Sequence, residues 1–420
     1  MQGNGRNYKF FLLGSLYFTQ MLPMAFFFSG LPVIMRKGGY SLEHIAYLGL
    51  MGIPYSLKFL WAPYIDRGAG NANHYKKIVL AMTVCYAIVS AIASQINPQD
   101  NLIQLTVILS IALTFLATQD IAVDAIATRI LTPAERGFGN GLQAAGAFSG
   151  YFFGGGVMLI IFDSVGGWAN SVLILSAILV IALIPLFFFH EPAGPVKSRA
   201  SIKDIFTFFK RKEIIPSLLV AVFSGIFLEV SYRKMRPLMV DAGFETEQIG
   251  LYISIIGMAS GIVSSLLFGY MMKWFGLRKG FIYSLVFGLL AFPALMLPAM
   301  GYVTAPFILG AVLLGGACSG AMHATVYALY MNNGREGKEG SDFTVQNALA
   351  FLLTYPLGIL FGKLADKQGY FNLFIVAAIL HIVIVILAIV LVRNKKSDKK
   401  VLDDMKSEVG ELAESESTSL

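Results

Sequence analysis

Charge is what this chain lacks most. Only 14% of its 420 residues are Asp, Glu, Lys or Arg, against about 25% in an ordinary soluble domain. Cysteine is scarcer still. Cys85 and Cys318 are the two present, both inside apolar runs, which excludes a disulfide framework and leaves small buried thiols as the expectation. No phosphate-binding loop of the Walker type occurs, so ATP is excluded as the direct energy source. H-E-x-x-H, clustered Cys and His, and a nucleophile elbow are missing as well, so no cofactor, metal site or enzymatic chemistry is expected. The apolar residues do not alternate with polar ones, which excludes a membrane β-barrel.

Apolar residues are present in excess: 56% of the chain, with a mean hydropathy of +0.69. They come in runs of roughly 20, the length a helix needs to cross a hydrocarbon core of about 30 Å. Only helices or closed barrels satisfy the backbone in lipid, so the chain reads as an all-α membrane protein. Breaks at Gly, Pro and charged residues place spans 1 to 6 near 9–35, 44–66, 77–97, 102–128, 138–163 and 168–190. Spans 7 to 12 follow near 214–240, 249–273, 280–300, 304–331, 342–365 and 370–392. The first apolar run, from Phe10, has no small-residue cleavage site and reads as span 1, not as a removed signal.

The net charge of +7 could suggest nucleic acid, but its placement speaks for a membrane and against nucleic acid. With the N-terminus in the cytoplasm, 24 of the 32 Lys and Arg fall inside; Arg36, Lys37, Lys363 and Lys367 fall outside, and Lys58, Arg233, Lys234 and Arg236 within spans. The positive-inside rule thus predicts both termini in the cytoplasm.

The two halves echo one another. Asp120 precedes Gln143 by 23 residues and His323 precedes Gln346 by 23. Pro32 precedes a turn resuming at Ile45, and Pro237 one resuming at Ile249. The expected organisation is a six-helix half (1–190), a basic linker (191–213), a second six-helix half (214–393) and a disordered tail (394–420). Six-span halves repeated in the same orientation imply a substrate site between them, near the membrane midplane.

Three stretches carry a resemblance. Gly52-Ile53-Pro54 through Asp66-Arg67, Thr118-Gln119-Asp120-Ile121-Ala122-Val123-Asp124-Ala125 and Pro133-Ala134-Glu135-Arg136-Gly137 resemble the AmpG-like muropeptide permeases of the major facilitator superfamily. In the second half, Arg236-Pro237-Leu238-Met239-Val240-Asp241-Ala242-Gly243 and Gly340-Ser341-Asp342-Phe343-Thr344-Val345-Gln346 look more like the RhtX/FptX siderophore permeases of that superfamily. The resemblance implies a major facilitator fold of about twelve helices in a bacterial inner membrane, importing a large polar solute. A siderophore or its ferric complex is the first expectation for the cargo and a muropeptide the alternative. A membrane receptor or scaffold that moves nothing is the competing class, and a monomer embedded in lipid is expected. Asp66 and Arg67 would belong to the cytoplasmic gating loop of such transporters.

Charges inside spans carry the functional signal, because each costs at least about 2.5 kcal/mol on insertion scales. Asp120 and Asp124 share one face of span 4 at i, i+4, and two close carboxylates in low dielectric suit proton uptake. The bland alternative pairs Asp124 with Arg129. Glu229 of span 7 is a further carboxylate for proton coupling and can also neutralise Arg233. Lys234 and Arg236 point to different faces and cannot both join that pair, so Arg233 or Arg236 is expected on an anionic solute and Lys234 at the outer interface. His323 holds the repeat position of Asp120 and titrates in the range of a proton carrier. Lys58 either pairs with a carboxylate of span 4 or contacts substrate. Gln143 and Gln346, at equivalent positions, are polar groups for substrate or for packing. Gly146, Gly150 and Gly154 place small residues on one face of span 5 for close helix packing.

Overall fold

The computed structural model describes residues 5–37, 40, 47–98, 101–164, 167–194 and 201–392. Ile45, residues 195–200 of the linker and the expected tail lie outside the described residues. Among those described, nine helical stretches are long and apolar enough to cross a membrane. Asn7–Met35, His74–Ser94, Leu102–Ile130, Arg136–Ser164, Trp168–Phe188, Ile215–Asp241 and Ala305–Asn333 are spans 1, 3, 4, 5, 6, 7 and 10. Gly250–Ala299 holds spans 8 and 9, which part at Gly276 (φ 74°). Glu339–Leu391 holds spans 11 and 12, which part at Gly369 (φ 82°). Both turns need the left-handed backbone that glycine adopts without a Cβ penalty. A shorter apolar stretch, Leu48–Leu60, is the core of span 2, and with it the crossings reach twelve.

Span 2 differs from the continuous helix expected over 44–66. It is a string of short turns: 3-10 at Tyr47–Gly52, α at Ile53–Leu57, 3-10 at Lys58–Leu60 and α at Ala62–Ile65. A proline ring collides with the carbonyl four residues upstream and offers no N–H. Pro54 and Pro63 therefore loosen the chain around Leu50 and Phe59, where the tighter turns form. The same logic explains the wide π-turn Phe26–Gly30 upstream of Pro32 and the end of the span 7 helix at Arg233, four residues before Pro237. Prolines thus decide where three spans bend.

Lipid-facing and protein-facing sides separate as a bilayer demands. Ile103, Ile160 and Val263 are more than two-thirds exposed, as apolar residues are when oil is the solvent. Hydroxyls inside span 4 bond back to their own helix: Thr106, Ser110, Thr114 and Thr118 each donate to the carbonyl four residues earlier. That satisfies them without water. Close packing rests on glycine. A Cβ at Gly146, Gly150 or Gly154 would collide with the backbone of span 1, so the stripe in span 5 joins spans 1 and 5 as expected. Gly137 and Gly141 of span 5 meet Gly269 of span 8 in the same way, forming a seam between the halves.

The turns after spans 2, 4 and 10 gather at one end with the linker; we call it the basic end. There the halves are tied together by polar contacts. Ser341 donates through its N–H (2.7 Å) and hydroxyl (2.5 Å) to Asp66. Arg129 lies 3.6 Å from Glu339, and Arg136 donates to Asn332 at 3.0 Å. At the other end, Tyr40 donates to the Pro98 carbonyl and Tyr370 to Asp241, contacts that each stay within one half. The linker contains a short helix, Lys203–Phe209, which hydropathy alone did not indicate.

Candidate functional site

The irregular backbone of span 2 swings Lys58 into the first half, where it is buried and ion-paired with Asp120. Asp124, one turn on, accepts a 2.8 Å hydrogen bond from the Tyr17 hydroxyl and remains within electrostatic reach of Lys58. The Tyr55 ring lies 5.8 Å from the Lys58 ammonium. Lys58 is thus paired with a carboxylate of span 4, the first of the two roles the sequence left open. The alternative partner for Asp124 is corrected: Arg129 bonds Glu191 at 2.8 Å instead, because the helix carries it to the basic end. One cation and two carboxylates leave this buried cluster with a formal charge of −1. A carboxylate excess away from water is costly, and one proton removes it.

The second half answers with a different arrangement. Glu229 and Arg233 pair at 2.9 Å, and the arginine side chain is 61% exposed. Arg236 is exposed as well and stands within electrostatic reach of Glu229 and of Tyr151 from the first half. Lys234 turns away toward Gly362 of span 11, as the helical geometry required. Glu229, Arg233 and Arg236 together carry a formal +1. His323 sits beside them, its Nδ1 2.9 Å from the Ser319 carbonyl, and interacts electrostatically with Glu229. It holds the repeat position of Asp120 in span 10, and its charge contact is with the Glu229 cluster.

Aromatic rings bridge the two clusters. Phe148 of span 5 packs edge-on against His323 at 5.8 Å, and His323 against Tyr327 at 5.7 Å. Tyr327 lies within electrostatic reach of both Asp124 and Glu229. Sequence reasoning missed Tyr17, Phe148, Tyr151 and Tyr327. For Tyr327 a signal existed, since the offset that relates Asp120 to His323 also relates Asp124 to Tyr327.

The two glutamines part company. Gln346 donates to the carbonyls of Tyr330 (3.0 Å) and Asp342 (2.9 Å) and accepts from Asn333 (3.0 Å); both amide hydrogens are used in packing bonds, the second of the two roles the sequence left open. Gln143 is also buried, but its carbonyl oxygen has no protein donor. At the basic end, Asp66 is buried and accepts from Tyr75 at 2.6 Å besides Ser341. Its carboxylate sits at the N-terminal turn of span 11, where free N–H groups and the helix dipole favour an anion. Arg67 is exposed and stacks on Tyr64 at 4.2 Å.

A sequence model of the Major Facilitator Superfamily matches residues 11–358. An anhydromuropeptide permease of Escherichia coli K12 is 24% identical over 383 residues, which is 86% of this chain and 76% of the relative. A putative AmpG transporter of Rickettsia felis is 24% identical over 393 residues, 89% of this chain and 94% of its own. Among solved structures, a major facilitator transporter, FucP, in the outward conformation superposes with a TM-score of 0.66 at 16% identity, covering 92% of this chain and 99% of that one. A bacterial homologue of the iron transporter ferroportin, outward-facing, gives 0.64 at 15% identity, covering 91% and 98%.

Proposed function

The chain belongs to the major facilitator superfamily, and from that premise we propose that it imports an anhydromuropeptide-type solute across the bacterial inner membrane, driven by protons. The observation that carries the mechanism is a pair of unlike clusters, one in each half, with Tyr327 within electrostatic reach of both. An anionic solute is drawn to the exposed donors of Arg233 and Arg236. The proton goes to the carboxylate pair of span 4, whose formal excess charge it cancels. Tyr327 and Phe148 form the floor and supply apolar surface.

The cargo differs from the first expectation. The siderophore reading rests on two short segments of the second half, whereas the muropeptide-type relatives align over 86% and 89% of the chain. One of those segments, around Gln346, is engaged in internal bonds. Both observations support the muropeptide alternative. In this reading the basic end faces the cytoplasm, as the lysine and arginine distribution predicts, and the Asp66–Ser341 contact holds that side shut while the site loads. Release then needs Asp66 to let go of span 11, a change of the rigid-body kind.

Proteoliposomes with an inward proton gradient test this. Anhydromuropeptide should accumulate and a protonophore should abolish the accumulation. Accumulation that survives the protonophore refutes proton coupling, and uptake of ferric siderophore in place of anhydromuropeptide returns the cargo to the first expectation. Asp124→Asn should abolish uphill accumulation and spare exchange down the gradient; retention of uphill transport removes Asp124 from the proton path.

A further inference from the structure

The linker helix Lys203–Phe209 has two faces, and among the described residues one of them is packed and the other exposed. On the inner face, Phe208 is fully buried and Asp204 nearly so. Asp204 forms an ion pair with Lys338 and accepts from the Ser201 N–H at 2.7 Å. Arg335 donates to the Asp204 carbonyl (3.0 Å) and to the Thr207 hydroxyl (2.9 Å), and also holds Asp342 of span 11 at 2.6 Å. Arg211 donates to the Asn333 carbonyl at 2.7 Å. The helix is thus clamped to the turn between spans 10 and 11.

The outer face carries Ile202, Phe206 and Phe209, which are 43%, 68% and 38% exposed. Their spacing of four and three puts them on one side of the helix. Lys203, Lys210 and Lys212 flank them and are exposed as well. Residues 210–214 alone separate this helix from span 7, so it lies at the level where the bundle leaves the bilayer. The spans that adjoin it in sequence also carry exposed apolar side chains near the linker: Phe187, Phe188 and Leu219 are 58%, 65% and 44% exposed.

We propose that the linker helix docks into the anionic headgroup layer of the membrane, with Ile202, Phe206 and Phe209 in the acyl boundary and the three lysines on lipid phosphates. An apolar stripe bordered by lysine is the composition that lies in a bilayer interface, and each lysine near an anionic surface adds to the attraction. Water as the occupant would leave three large apolar side chains exposed together. A second copy of the chain would leave the lysines facing lysines. The anionic interface satisfies both sets. Through Asp204 and Arg335 the docked helix also braces the start of span 11, which Asp66 grips from the other half.

The test uses the full chain, one copy per lipid nanodisc, with Phe206→Trp as reporter and the unsubstituted protein as background for its three tryptophans. In discs containing phosphatidylglycerol, acyl chains brominated near the headgroup should quench the added emission roughly twofold, as expected for a residue at the acyl boundary. An unquenched reporter in one-copy discs places the face in water and overturns the proposal. Should Phe206→Trp fail to fold, Phe209→Trp reports from the same face. The charge is tested separately by the triple change Lys203→Gln, Lys210→Gln, Lys212→Gln. Quenching in phosphatidylglycerol should exceed that in phosphatidylcholine for the unsubstituted lysines, and the triple variant should abolish the difference. A lipid dependence unchanged in the triple variant would overturn the assignment to anionic lipid.

Discussion

The two charge clusters occupy equivalent halves of a repeat, yet they are built for opposite conditions. Lys58, Asp120 and Asp124 are sealed from solvent and satisfied by one another and by Tyr17. Glu229, Arg233 and Arg236 stand partly open, with the arginines exposed. Burial decides what each charge is worth. A sealed pair contributes to folding mainly in the sense that breaking it is costly, while an exposed pair contributes little to stability. The repeat therefore supplies a common scaffold, and the backbone breaks in span 2 and span 7 determine which half hides its cation and which displays it.

The comparison breaks most visibly at Lys58. Lys58→Met or Asp120→Leu alone should destabilise the protein by roughly 3–5 kcal/mol, the cost of an unpaired buried charge. The double change should recover most of it, as followed by thermal unfolding in detergent. Single variants that melt with the parent would show the cluster to be wet. Arg236→Gln should do the reverse: solute binding weakens by roughly 2–5 kcal/mol, measured by calorimetry, with no change in melting. Unaltered affinity would remove span 7 from the site.

Smaller effects sharpen the same contrast at the basic end. Asp66→Ala removes a charged acceptor from two Ser341 donors, each such bond contributing about 1.5–3 kcal/mol. Spin labels on the 66–74 and 333–339 turns should then report a longer, broader separation, and an unchanged distribution would mean that the glycine seam with Arg129–Glu339 and Arg136–Asn332 holds that end without Asp66. For stability, Arg233→Gln should cost no more than about 1 kcal/mol, the range of exposed ion pairs, checked by thermal unfolding.

The smallest expected effect is one of pH. Burial alone would raise the Asp204 carboxyl, but hydrogen bonds from Lys338 and the Ser201 N–H, with the charges of Lys338 and Arg335, hold it below its ordinary value of 3.8. A lowered folded-state value means that the linker clamp is fully present above pH 3.8 and is lost as the pH falls through that lower value. Protease nicking near residue 204 should therefore rise only in that acid window, and Asp204→Asn should nick readily at neutral pH.

Much of the fold was legible because lipid imposes a severe filter. Long apolar runs, glycine at the turns and basic residues between spans follow from the solvent alone, and eleven of the twelve crossings lie in helical stretches long and apolar enough to span, where hydropathy places them. Span 2 escaped that reading because hydropathy registers apolar content and not backbone regularity. Its prolines were visible, but their combined effect depends on whether neighbouring helices support the helix or let it break. The candidate site was legible as a set of residues and not as a set of partners. Intramembrane charge marked Lys58, Asp120, Asp124, Glu229, Arg233 and Arg236 without regard to geometry.

Pairing was the contribution of tertiary structure. Helical spacing placed Glu229 beside Arg233 because the two are four residues apart on one helix, and local geometry suffices for that. It could not place Tyr17 on Asp124, Ser341 on Asp66 or Lys338 on Asp204, since those groups lie on different helices and meet only when the helices pack. The sequence by itself determined that this chain lives in a membrane, how it is punctuated and which polar groups had to find partners there. Which partners they found was decided by packing, because in a medium without water a charge takes the nearest complementary group that the glycine seams bring within reach.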